Sequence, residues 1–145
     1  SDRVYQAFLG EDLGERTLYH GHSYSGNALA AAVGLRHLAL LDEWAVLDNV
    51  RARAAELAVL LEAHVAPLAA VREVRQQGLM VGVELAPPAD GLRWGRRVCA
   101  ASVARGVLLR PLGDVVVLMP MLTTTAAEAE RIVATLVEAI GEVAG

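Results

Sequence analysis

Val71-Arg72-Glu73-Val74-Arg75-Gln76-Gln77-Gly78-Leu79-Met80-Val81-Gly82-Val83-Glu84-Leu85 is where the chain changes period. Leu79, Val81, Val83 and Leu85 alternate with Met80, Gly82 and Glu84. In an extended backbone every second side chain falls on the same side, so the run predicts a strand with one apolar face. Val71–Arg75 is its predicted partner, with Gln76-Gln77-Gly78 as the turn or bulge between them. Pro87-Pro88 ends the strand, because proline has no N–H to give a ladder.

Upstream of this hairpin the period is helical. From Asn27 to about Glu43, Val33, His37, Leu40, Leu41 and Trp44 recur in steps of three and four. They predict a long helix with an inward stripe, on which His37 would be a core residue. Ser25 or Asn27 would cap it, accepting from the free amides of the first turn. A second helix is predicted over Asp48–Val65, with Leu47, Val50, Ala54, Leu57, Leu61, Val65 and Leu68 on one stripe and Pro67 at its stop. Residues 1–26 hold no sustained period and contain Gly10, Gly14, Gly21 and Gly26, so they read as irregular. A long loop of this kind is functional or lies against something else.

Downstream, Asp90 is the expected cap of a helix reaching Arg105, with Trp94, Val98 and Ala101 inward and Gly106 as its stop. Val107–Leu109 and Val115–Met119 are expected strands, joined by a turn of Pro111, Gly113 and Asp114. Thr125-Ala126-Ala127-Glu128 has capping-box spacing and opens a last helix, with Ala129, Ile132, Val133, Leu136, Val137, Ile140 and Val143 inward. The order predicts an α+β fold: a small, mainly antiparallel sheet with helices packed on one face, preceded by a long helix. Residues 1–26 form one expected part and residues 27–145 the other.

Composition sets the outer bounds. The chain has 145 residues, 54% of them hydrophobic and 21% charged, which suits a globular domain. A net charge of −4 argues against a broad nucleic-acid surface. No run approaches the roughly 18 apolar residues of a membrane span, so no membrane partner is expected, and a single thiol fits a reducing cytoplasm as the expected location. Cys99 is the only cysteine, which excludes an internal disulfide and a cysteine-rich zinc site; it reads as a small core residue. His20 and His22 flank Gly21, but no nearby carboxylate or thiol completes a ligand set, so no metal is expected. All 13 basic residues are arginine, and there is no lysine. The chain opens on Ser1 rather than methionine, and the expectation is a segment of a longer protein.

Two places could carry chemistry. His20-Gly21-His22-Ser23-Tyr24-Ser25-Gly26-Asn27 combines glycines, hydroxyls and a helix start, where free amides favour an anion such as phosphate. The same residues also suit a capped helix after a flexible loop. Arg110, in Leu108-Leu109-Arg110-Pro111-Leu112-Gly113, lies at the end of an apolar run and is braced by proline. Its two-pronged guanidinium could hold a carboxylate, or it could be a solvated strand end.

His20 through Ala30 resembles the segment that follows the cofactor lysine in class III aminotransferases. Arg110-Pro111-Leu112-Gly113-Asp114-Val115-Val116-Val117-Leu118-Met119-Pro120 resembles the late strand pair of one branch, the adenosylmethionine–8-amino-7-oxononanoate aminotransferases of biotin biosynthesis. The glycine–valine alternation of Gly78–Leu85 also resembles the small domain of that class, and the likeness covers nearly the whole chain. It implies the small C-terminal domain of fold type I among pyridoxal-phosphate enzymes, in a homodimer with active sites at the subunit interface. Residues 1–26 would line the pyridoxal 5'-phosphate site. Ser23 would bind the cofactor phosphate of the neighbouring subunit, with the amide of His22 or Ser23 nearby. Gly21 would line the substrate channel, and Arg110 would pair with the carboxylate of 8-amino-7-oxononanoate. The amino donor would be S-adenosylmethionine or lysine.

The resemblance also implies that the lysine, aspartate and tyrosine of the catalytic centre lie upstream, so no catalytic residue is expected here and the segment alone is expected to be inactive. Other class III enzymes, of omega-amino-acid or acetylornithine type, and a non-catalytic binding or dimerisation domain are the rival expectations.

Overall fold

A computed structural model describes residues 1–145. In chain order the elements are α1 (Asp2–Ala7), α2 (Ala28–Glu43), α3 (Val46–His64), β1 (Val71–Gln77), β2 (Met80–Leu85), α4 (Trp94–Ala104), β3 (Arg110–Leu112), β4 (Val115–Leu118) and α5 (Ala126–Ala144). Two compact units divide the chain, Ser1–Ala39 and Leu40–Gly145.

The second unit is built on the alternating run. The sheet has four strands in the order β1-β2-β4-β3, and each neighbouring pair is antiparallel. Leu79, Val81, Val83 and Leu85 are all buried, as their alternation predicts. Val116 and Leu118 of β4 extend the same face. Onto it pack Leu57 and Leu61 of α3, Trp94, Val98 and Cys99 of α4, and Val133, Leu136 and Ile140 of α5. Burying a side chain of this size contributes about 1.5–3 kcal/mol, so this one layer of contacts dominates the stability of the unit. The fold is the expected α+β arrangement, with a small antiparallel sheet covered by helices.

Details of the boundaries differ for physical reasons. The bulge lies between Val71 and Glu73, not in the Gln76–Gly78 stretch, so β1 runs straight into its turn. The strand expected at Val107–Leu109 begins instead at Arg110. Counted back from Gly113-Asp114, the register pairs Leu112 with Val115, Pro111 with Val116 and Arg110 with Val117, and β4 ends at Leu118. Val107 and Leu109 are still buried, but outside the ladder. Pro111 is therefore a strand residue, and it is tolerated because β3 is an edge strand.

Asp90 does not cap α4. The helix starts at Trp94, and the amide of Gly95 donates to Asp114 Oδ1 at 3.1 Å. Glycine is required at Gly95, because a Cβ there would lie 2.3 Å from the carbonyl oxygen of Gly113. Gly106 ends α4 with φ of +81°, and the amide of Val107 returns to the Ser102 carbonyl, so the stop is as expected. Thr125 and Glu128 form both halves of the capping box of α5.

The first unit is organised by local bonds. It contains α1, a six-residue helix within the stretch read as irregular, followed by turns such as those closed by Gly14 N–H to Glu11 O and Thr17 N–H to Gly14 O. None of its residues is buried. The inward stripe expected on α2 forms only at its C-terminal end: Leu40 and Leu41 are half-buried, while Val33 and His37 are exposed, as are Leu29 on the same face and Leu35 and Leu38 on other sides. The helix is apolar around its circumference, so the three-and-four stripe has no contrasting face. Trp44, after the helix end, is exposed as well.

Candidate functional site

The first site is a tight turn ahead of α2. Asn27 Oδ1 accepts from the amide of Ala30 at 3.0 Å, so Asn27 is the helix cap. Ser25, the other expected cap, faces back instead, and its Oγ accepts from the amide of His22 at 3.1 Å. The amide of Ser25 in turn donates to the His22 carbonyl at 2.9 Å. The amide of Tyr24 donates to His22 Nδ1 at 3.2 Å. An imidazole nitrogen that accepts carries no proton, so the ring proton of neutral His22 sits on Nε2. The rings of His20 and Tyr24 each lie 6.3 Å from the His22 ring.

Ser23 stands at the apex of this turn. Its side chain is exposed, and neither its amide nor its hydroxyl makes a hydrogen bond within the chain. Gly21 is open as well, with nothing within 4 Å of where a Cβ would sit. An exposed hydroxyl and amide offered together suit the acceptor oxygens of a phosphate. Pyridoxal phosphate also needs an amine at its aldehyde, and no lysine in this chain offers one. The residues present therefore fit the phosphate end of that cofactor and not its reactive end.

The second site lies on the sheet face away from the helices. Cross-strand register places Arg75, Gly82, Val117 and Arg110 in one row. The two guanidiniums of that row differ. Arg75 donates to Glu84 Oε2 at 2.8 Å and also pairs with Glu73. Hydrogen bonds from Arg75, and then from Arg72, hold the Glu84 carboxyl below the usual carboxylate range. Arg110 opens the edge strand, is exposed, and has no acidic partner in the chain. Leu112, on the same face, is 65% exposed, and Val115 and Val117 are half-buried. The sequence placed Arg110 at the end of a strand; it stands at the start of one, with the cross-strand partner that only the register reveals.

A cleft of about 510 Å3 lies behind this edge, lined by Gly91, Arg93, Arg96, Pro111, Gly113 and Asp114. Arg110 is not among its walls, and its carboxylate, Asp114, is engaged with the α4 amide. Local sequence gave no signal for this cleft, because it forms where α4 meets a hairpin about 20 residues later. The remaining titratable groups are quieter. Cys99 is buried, and burial pushes its thiol up, away from a reactive thiolate. No group of three or more His, Cys, Asp or Glu side chains could hold a metal ion. No helix is long and apolar enough to cross a membrane.

Comparison with known proteins bears on the family and the fold. Residues 1–140 match the family described as aminotransferase class-III. An adenosylmethionine-8-amino-7-oxononanoate aminotransferase of Nitratidesulfovibrio vulgaris is 41% identical over 147 residues, covering 97% of this chain and 27% of that protein. The crystal structure of the adenosylmethionine-8-amino-7-oxononanoate aminotransferase of Methanocaldococcus jannaschii superposes with a TM-score of 0.84 at 34% identity, over 98% of this chain and 34% of that one. A thermostable (S)-enantioselective omega-transaminase from Thermomicrobium roseum does so with a TM-score of 0.83 at 30% identity, over 100% of this chain and 33% of that one. The chain thus spans between 27% and 34% of the length of these three proteins. On sequence and fold together, the chain belongs to the class III aminotransferases.

Proposed function

We propose that this chain is the C-terminal part of an adenosylmethionine–8-amino-7-oxononanoate transaminase, a pyridoxal-phosphate enzyme that transfers an amino group to 8-amino-7-oxononanoate to give 7,8-diaminononanoate in biotin biosynthesis. One observation carries the reading: Arg110 is a guanidinium without an acidic partner, beside the exposed aliphatic side chain of Leu112. That pairing suits a carboxylate on an aliphatic stem, which this substrate has. Adenosylmethionine-8-amino-7-oxononanoate aminotransferases recur among the relatives, from 29% to 41% identity.

In this reading Ser23 and the His22 turn hold the cofactor phosphate of the neighbouring subunit in a cytoplasmic homodimer. Gly21 leaves room for the substrate chain, and Arg110 binds the substrate carboxylate. Pyridoxal phosphate, when bound, supplies the electron sink for amino transfer. The residues of this chain bind and orient; none of them moves a proton at the reacting carbon. The amine that anchors the cofactor must come from elsewhere, so the chain by itself is inactive. The amino donor is S-adenosylmethionine or lysine.

A full-length enzyme carrying this segment tests the assignment. Arg110→Ala should raise KM for the keto acid by about 10- to 100-fold, the loss of a charged hydrogen bond, while donor deamination changes little. Equal losses in both half-reactions would remove Arg110 from the substrate carboxylate. Faster turnover of omega-amino acids or acetylornithine than of 8-amino-7-oxononanoate would place the enzyme in another branch of the class.

A further inference from the structure

Four successive amides, from His22 to Ser25, make up the turn, and their bonding is uneven. His22 N–H goes to Ser25 Oγ, Tyr24 N–H to His22 Nδ1 and Ser25 N–H to the His22 carbonyl. Only the Ser23 amide is left over. All three internal bonds end on His22, through its amide, its carbonyl and its ring. We infer that His22 is a positioning residue: its neutral imidazole and main chain close the turn on themselves, so that Ser23 alone presents an amide and a hydroxyl to a phosphate monoester. This inference rests on the phosphate reading of Ser23 given above, and it reassigns His22 from donor to scaffold.

The ring is the vulnerable part of the device. Nδ1 accepts from Tyr24 only while it carries no proton, and an imidazolium donates from both nitrogens. Adding a proton therefore expels the Tyr24 amide and opens one side of the turn. The titratable side chains whose rings face it are His20 and Tyr24. An asparagine at position 22 would keep an acceptor near the place of Nδ1, since short amide side chains close such turns on their own backbone. A leucine would keep bulk and lose the acceptor. Both variants lie in an exposed turn, so neither threatens the buried layer.

The test is NMR on the isotopically labelled 145-residue chain, with inorganic phosphate and pyridoxal phosphate as probes. The His22 ring should be the Nε2–H tautomer. The Tyr24 amide should show a hydrogen-bond coupling to His22 Nδ1. His22→Asn should keep the Tyr24 and Ser25 amide resonances near their original positions, and His22→Leu should collapse them. Either phosphate probe should shift the Ser23 amide in the unaltered chain and in His22→Asn. In His22→Leu that response should weaken by about tenfold, as expected for one lost hydrogen bond.

If the unaltered chain and His22→Leu respond to phosphate equally, His22 positions nothing and the inference is overturned. If no variant responds while the His22–Tyr24 coupling is intact, the phosphate reading of Ser23 has failed, and the inference falls with it. A Tyr24 amide with no coupling to His22 Nδ1 would show the turn is not closed by the ring at all.

Discussion

Helices α2 and α5 are both long and rich in alanine, leucine and valine, yet they meet opposite fates. In α5, Ala129, Val133, Leu136 and Ile140 are buried against α3, α4 and the sheet. In α2, Leu29, Val33, Leu35 and Leu38 all stand exposed, and no residue of the helix is buried. The difference lies in what surrounds each stripe. Spacing reports which way a side chain would turn; it carries no information about whether anything waits there. Large exposed apolar surface of this kind marks a contact face. The turn that carries Ser23 sits at the head of the uncovered helix, and Arg110 sits on the edge of the covered sheet.

Core truncation should separate the two regions most widely. Leu136→Ala, in the buried layer, should cost about 2–5 kcal/mol in urea unfolding. Leu35→Ala on α2 should change stability by no more than about 0.5 kcal/mol. Comparable losses in both would mean that α2 is packed after all.

Gly95→Ala comes next. Its new methyl would press on the Gly113 carbonyl at the junction of α4 with the β3–β4 hairpin. Overpacking of this sort costs about 1–3 kcal/mol, read as a lower denaturant midpoint. An unchanged midpoint would show that the junction can yield.

Thr125→Ala should cost less, about 1 kcal/mol, by removing the cap of α5. It should also alter the acid response. The Thr125 amide, and then its hydroxyl, hydrogen-bond to Glu128 and hold that carboxyl below its ordinary range. A depressed carboxyl adds stability that is complete above the unfolded pKa and is lost as pH falls through the lower folded value. The stability gap between the unaltered chain and Thr125→Ala should therefore narrow as the solution is acidified into that window. A gap independent of pH would mean that the bond from the Thr125 hydroxyl to Glu128 contributes nothing, since the backbone amide bond survives in the variant.

These contrasts also explain how far the sequence could be read. The Leu79–Leu85 alternation and the Thr125–Glu128 spacing depend on neighbours in the chain, and both appear in the structure as expected. The cap of α4 was misplaced because its acceptor, Asp114, lies 19 residues beyond Gly95. β3 was set too early because its limits come from pairing with β4, not from its own apolar run. Ser25 looked like a cap and proved to be a brace for His22, since a hydroxyl can face either way along the chain. Arg110 and Ser23 were visible as residue types. That one is without an acidic partner and the other without a hydrogen bond is a property of the fold.

Hydrogen exchange on the 145-residue chain tests the contrast most directly. Amides of β2, β4 and α5 should be protected to the free energy of global unfolding, while those of residues 1–39 should exchange with little protection. An isolated helix of about the length of α2 is marginal in water, so its amides belong with the second group. Protection of α2 equal to that of α5 would contradict the account.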